Sequence, residues 1–169
     1  MRRFLVLAIV GSVALPAGAR AQERRFAVDA RVATGLSVGG GDGHASVRRT
    51  PLFVEAGMHT WLAAEEGFVL GASVRVELED RVSIGGVVRA GLRARLGALE
   101  LRPSLGVVAI LAPYTLLGAE AGAMMVLHLD GSASILAQIA IDGFLFGSDL
   151  PNGNAIAMFN GGLGLEIAI

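Results

Sequence analysis

The stretch Val82-Ser83-Ile84-Gly85-Gly86-Val87-Val88-Arg89-Ala90-Gly91-Leu92-Arg93-Ala94-Arg95-Leu96 decides the fold. Val82, Ile84, Val88, Ala90, Leu92, Ala94 and Leu96 share one parity, while Ser83, Gly85, Arg89, Gly91, Arg93 and Arg95 share the other. Side chains of a strand alternate between its two faces, so a two-residue period marks a ribbon with one oily and one polar side. Wound as a helix, the same residues would spread Arg89, Arg93 and Arg95 around the cylinder. Any apolar packing would then bury at least one of those charges. The segment reads as a strand.

The same period runs outward in both directions. Upstream, Phe68–Leu78 sets Phe68, Leu70, Val74 and Val76 against Ser73, Arg75 and Glu77. Leu52–Leu62 sets Val54 and Met58 against Glu55, Gly57 and His59, and Phe26–Val38 sets Val28, Val32 and Leu36 against Asp29, Arg31 and Ser37. Downstream, Leu99–Val107, Leu116–Leu129, Ala133–Ile141 and Phe159–Ile169 complete a predicted set of eight strands. Gly39–Thr50 and Gly147–Ala155 read as long connections and Ala109–Tyr114 as a moderate one. Ala63–Glu66, Glu79–Arg81, Gly97-Ala98 and the Asp130-Gly131 hairpin signal read as short ones.

Composition explains what the strands must live in. The chain has 169 residues, 53 % apolar and 17 % charged, with a mean hydropathy of +0.62. That is too oily for a disordered chain. The formal charge of −1 offers no basic surface to a polyanion, so no nucleic-acid partner is expected. The absence of cysteine removes disulfide frameworks, thiolate metal sites and cysteine nucleophiles. Met1-Arg2-Arg3, the apolar run Phe4–Leu15, Pro16 and Ala19-Arg20-Ala21 fit a secretory signal peptide over residues 1–21, leaving 22–169 as one domain. The uncharged stretches Pro103–Ala119 and Leu150–Leu165 are broken by Pro103, Pro113 and Pro151 and do not read as membrane helices.

The polar faces carry Asp29, Glu55, Glu77, Glu100, Glu120, Asp142 and Glu166 with Arg31, Arg75, Arg89, Arg93, Arg95 and Arg102, a nearly neutral set. In a soluble sandwich these groups would face water; in a membrane barrel they would face the lumen. Glycines 57, 71, 85, 91, 106, 118, 122 and 164 share the polar faces, where a narrow interior needs small residues beside long charged ones. The opposite faces are apolar in all eight strands, and closure removes exposed sheet edges. Aromatic residues stand near predicted strand ends, as membrane interfaces favour. By parity Trp61, Phe144 and Phe146 point inward, and a bulge at Gly143 would turn both phenylalanines outward. The expected fold is all-β: an eight-stranded antiparallel up-and-down transmembrane β-barrel after a cleaved signal peptide, its lumen closed by paired charges.

Over Phe26–Ile169 this architecture resembles the small eight-stranded outer-membrane barrels of the OmpA/OmpX type. The final run Gly162-Leu163-Gly164-Leu165-Glu166-Ile167-Ala168-Ile169 is similar to the terminal strand that the barrel-assembly machinery recognises, although that family commonly ends in an aromatic rather than Ile169. The resemblance implies a bacterial outer-membrane location, lipid around the belt and assembly by that machinery. It also implies a non-enzymatic role without a cofactor, in membrane integrity, surface interaction or at most small-solute passage. No peptidoglycan-binding domain is expected to follow.

Other chemistries have weaker marks in the sequence. His44-Ala45-Ser46 pairs a histidine with a serine, as lipid A deacylases of the outer membrane do, but nothing nearby in sequence orients the histidine. His59 and His128 fall on polar faces without metal-ligand spacing, and hydrogen bonding inside a lumen is the simpler role. Gly39-Gly40-Gly41 and Gly161-Gly162 open no helix and carry no phosphate-loop lysine. A soluble exported lipocalin-like binder is the remaining alternative.

Overall fold

The structure, a computed structural model, describes residues 26–41, 44–62, 67–79, 82–129, 131–148, 150 and 154–169, with Gly41 and His44 as backbone only. The predicted signal segment, residues 1–21, lies outside the described residues. The strands are β1 (Phe26–Gly41), β2 (His44–Trp61), β3 (Phe68–Glu77), β4 (Ser83–Leu92), β5 (Ala94–Leu96), β6 (Leu99–Ala112), β7 (Leu116–His128), β8 (Ala133–Gly147) and β9 (Ala155–Ala168). β4 and β5 are one barrel strand interrupted at Arg93, since both pair with β6. Neighbours in sequence pair antiparallel, and β1 closes on β9. The expected eight-stranded up-and-down barrel is therefore the fold.

The parity read from the sequence decides which side faces where. Outward side chains are large and apolar all the way round: Leu105 and Ile139 are each 70 % exposed and Leu163 67 %, with Val32, Met58, Val74 and Val88 also open. Inward positions hold the charges. Glycine lets the strands approach: a Cβ on Gly164 would lie 2.2 Å from the Ala30 carbonyl oxygen and 2.6 Å from Arg31 Cβ, whereas one on outward Gly161 would meet nothing within 4 Å. Gly97, at φ +67°, makes the tight turn between β5 and β6.

Several strands run longer than expected. Gly39–Thr50 is not a long loop: Gly39 pairs with Ser46 and Gly40 with Ala45, so both arms stay in the sheet beyond the barrel. Pro51 and Leu52 sit against the single residue Thr34, and this bulge inverts the parity of β2, turning Thr50 inward where strict alternation from Glu55 would turn it out. β6 continues through Val108 and Ile110 to Ala112, and β8 through Phe144 to Gly147. There both faces are apolar, so the two-residue contrast that marks a strand vanishes. β9 begins at Ala155, four residues before the expected Phe159. The outward phenylalanine is also corrected. The register shift between Leu117 and Gly118 leaves Leu145 unpaired, not Gly143, so Phe144 stays buried and only Phe146 turns outward.

Side chains fill the lumen in layers. At the rim holding Phe26 and Ile169, which join through a 2.8 Å backbone hydrogen bond, Ala27, Trp61 and Val69 form an apolar cluster. At the far rim Val87, Val108, Ile110, Leu116 and Phe144 form another, with Tyr114, Leu150, Ile156 and Met158 packed against it. The charged residues lie between. We predict that Gly164→Ala lowers stability by about 1–3 kcal/mol through overpacking, while Gly161→Ala stays within about 0.5 kcal/mol of the parent. Urea unfolding in detergent micelles, followed by the heat-dependent gel shift, measures both.

Candidate functional site: the charged lumen

The polar parities of β1–β9 converge on one column of side chains. Glu55 on β2 is its hub: it accepts hydrogen bonds from Arg31 Nη2 at 2.6 Å, Arg89 Nη1 at 2.6 Å, Arg75 Nε at 3.2 Å and Ser73 Oγ at 2.5 Å. Arg75 on β3 reaches across to Asp142 Oδ2 at 2.6 Å and Glu120 Oε2 at 3.2 Å, and its guanidinium stands 4.4 Å above the Phe53 ring. Arg89 on β4 forks onto Glu120 on β7 through Nε and through Nη2, the latter at 2.9 Å. Asn160 on β9 donates to Asp142 at 2.8 Å. Glu55 and Glu120 thus each face arginines from more than one strand, while Asp142 is held by Arg75 and the Asn160 amide, an arrangement that offsets the cost of removing ions from water.

A second group lies nearer the terminal rim. Arg102 on β6 bonds Glu100 Oε1 at 2.5 Å and Glu166 at 2.5 and 3.0 Å. Glu100, fully buried, also meets Arg95 at 3.2 Å, His128 at 3.0 Å, and Arg93 Nε at 2.8 Å in a charge contact without hydrogen-bond alignment. His59 places Nε2 3.0 Å from Glu166 and Nδ1 3.5 Å from Asp29. Arg93 and Arg102 lie 5.1 and 5.5 Å from the Trp61 ring, and His59 meets that ring edge-on at 5.2 Å, so the apolar cluster and the ions interlock.

Of the thirteen charged residues singled out from the sequence, Asp29, Arg31, Glu55, Arg75, Arg89, Glu100, Arg102, Glu120, Asp142 and Glu166 lie in these two groups, buried. Glu77 is buried but apart, hydrogen-bonded by Ser83 and by Tyr114 Oη at 3.2 Å. Arg93 is half-buried at the mouth, and Arg95 hangs there with 61 % of its side chain exposed. Residues whose part could not be read from charge parity are Ser73, Ser83, Asn160, Trp61 and Phe53. Parity alone placed Trp61 inward, but nothing in the sequence paired it with arginines.

His59 and His128 belong to separate contacts, His128 holding Ser134 and Glu100 at 3.0 Å each. Among the described residues no three histidine or acidic side chains gather to hold a metal ion. Ser46 lies exposed on the hairpin opposite Gly39, away from the lumen carboxylates. Outside the barrel wall, Arg49 pairs with Glu79 in the β3–β4 connection, and that hydrogen bond holds the Glu79 carboxyl below its ordinary value.

No protein-family model matches the sequence, and comparison with curated proteins finds no relative. Solved structures do match in outline. Ail, the attachment invasion locus protein of Yersinia pestis, is 12 % identical with a TM-score of 0.49, over 85 % of this chain and 99 % of Ail. The same protein in complex with the heparin analogue sucrose octasulfate gives 14 % identity and 0.45, over the same shares. Neisserial surface protein A (NspA) gives 9 % identity and 0.49, over 85 % of this chain and 97 % of its own. No residue role passes from them to this chain.

Removing a single member of the column leaves its partners charged and buried. Arg89→Ala is predicted to cost about 3–5 kcal/mol, because Glu120 loses its fork and Glu55 one of its cations. Arg95→Ala, at the solvated mouth, is predicted to cost less than about 1 kcal/mol. Equilibrium unfolding of both variants in the same detergent tests the contrast.

Proposed function

We propose that this chain is an exported, non-enzymatic outer-membrane β-barrel with a closed lumen, working through its wall and its surface rather than by conducting solutes. The observation that carries the reading is the inverted sheet: large apolar side chains cover the outside while ten buried charged residues pair within. A lipocalin-like barrel in water would need the reverse arrangement, since soluble monomers rarely expose so large a continuous apolar surface. Hydrocarbon around the belt and polar groups within is the membrane solution. Phe26 and Phe68 toward one rim, with Phe146 and Phe159 toward the other, are exposed where an aromatic belt would meet the two interfaces.

Export follows from the leader read over residues 1–21, leaving 22–169 as the barrel domain. The rim with both chain ends then faces the periplasm and the overshooting β1–β2 hairpin faces outward. Outer-membrane lipid and, during insertion, the barrel-assembly machinery acting on Gly162–Ile169 are the partners of this reading. Closure is supported by the two apolar clusters that cap the ion column, one around Trp61 and one around Phe144. These leave membrane integrity and surface interaction as roles, with small-solute passage disfavoured. A lipid-modifying activity at His44 and Ser46 finds little support, because the carboxylates that could orient a histidine are engaged with arginines inside the wall.

Purified barrel added to a planar lipid bilayer is predicted to give no conductance steps, and cells expressing the full chain should carry it in the outer-membrane fraction. Discrete open channels would contradict closure, and recovery in the soluble periplasm would contradict the membrane reading. The lipid A profile should be the same with the wild type and the H44A/S46A double variant; a change that depends on those residues would establish the enzyme instead.

A further inference from the structure

Between the two ion groups, in the half of the lumen nearer the terminal rim, lies a cavity of about 50 Å³. A single water needs only ~10–15 Å³ measured this way, so the space admits a larger occupant. Its polar wall includes Arg31, Arg89, Arg102, His59 and Ser104, with Asp29 as the acid among them. The carboxylates that neutralise these arginines, Glu55, Glu100, Glu120 and Glu166, are not part of that wall. Met58, Val69, Ala72, Pro103 and Met124 supply apolar wall, and the polar groups set among them are mainly guanidinium donors.

One donor set is left over. Arg31 spends Nη2 on Glu55, but its Nε and Nη1 have no hydrogen-bond partner among the described residues, although the side chain is only 2 % exposed. Buried guanidinium hydrogens of this kind are rarely left unmet, and they are met best by a negative charge. Asp29 Oδ2, also without a hydrogen bond, lies 3.6 Å from Arg31 Nη2, too far to satisfy it directly.

We propose that this cavity is a binding site for a small monovalent anion of halide size, held by Arg31 with Arg102, His59 and Ser104 around it. The anion answers the unspent Arg31 donors, and the cavity has room for it. Binding ties β1 to β6 through a shared ligand in addition to direct pairs, so the folded barrel gains stability with anion concentration.

The probe is bromide. Crystals of the intact barrel grown in sodium bromide should show an anomalous peak in the cavity within hydrogen-bonding reach of Arg31 Nε or Nη1. Arg31→Gln should lose the peak, and if that variant does not fold, Ser104→Val, which breaks no ion pair, should weaken it. In solution, replacing gluconate by chloride at fixed ionic strength should raise the unfolding midpoint of the wild type. Water alone in the cavity at high bromide, a peak undiminished in the variant that folds, or equal midpoints in the two salts would each overturn the proposal.

Discussion

Closure of the sheet is the constraint on which everything else in this molecule rests. Once β1 pairs with β9 and β4 with β6, there is no edge left to add strands, and the interior is only as wide as eight strands allow. Such a lumen has room for side chains but not for a column of water around them. Charges that parity turns inward must therefore find partners within the wall, arginine for most of the carboxylates and hydroxyl groups for Glu77. Glu55 meeting Arg31, Arg75 and Arg89 from three strands is the direct outcome.

The same constraint explains the division of labour among residue types. Long arginine and glutamate side chains span the lumen only because glycines on the same parity leave space, as Gly164 does beside Arg31. Where the chain stops supplying charges, apolar residues finish the packing: Phe144 with Val108 and Ile110 at one end, Trp61 at the other. Ion pairs inside a wall are weak sources of stability on their own, but they strongly penalise any register that leaves one unpaired. A one-residue slip of any strand would turn its charges into the apolar belt, so the column fixes register as well as filling space.

Much of this was legible in the sequence because it depends on contrast between neighbours. Arg89, Gly91 and Arg93 against Val88, Ala90 and Leu92 state both a strand and its orientation, and the inward parity of Asp29, Glu55, Glu120 and Glu166 follows from the same rule. Legibility ended where contrast ended. Val107 through Ala112 and Phe144 through Phe146 are apolar on both faces, so the strand continued unseen. The bulges at Pro51-Leu52 and Leu145 shifted parity without a local signal that placed them. Which arginine meets which carboxylate was also out of reach, because Arg75 and Asp142 lie 67 residues apart and meet only across the closed lumen. The cavity beside Arg31 is likewise a product of three-dimensional packing.

Contact between the outward side chains and hydrocarbon is directly measurable, because the chain has no cysteine of its own. Single cysteines placed in turn along β9 from Asn160 to Ile167, spin-labelled in lipid bilayers, report whether each position meets dissolved oxygen in the acyl chains or a water-soluble paramagnetic complex. Strong oxygen contact is expected at Leu163, Leu165 and Ile167, none at Gly162 and Gly164, and no contact with the soluble complex at the outward positions of the belt. Outward positions readily reached by the water-soluble complex, with oxygen contact showing no two-residue period, would contradict contact with hydrocarbon.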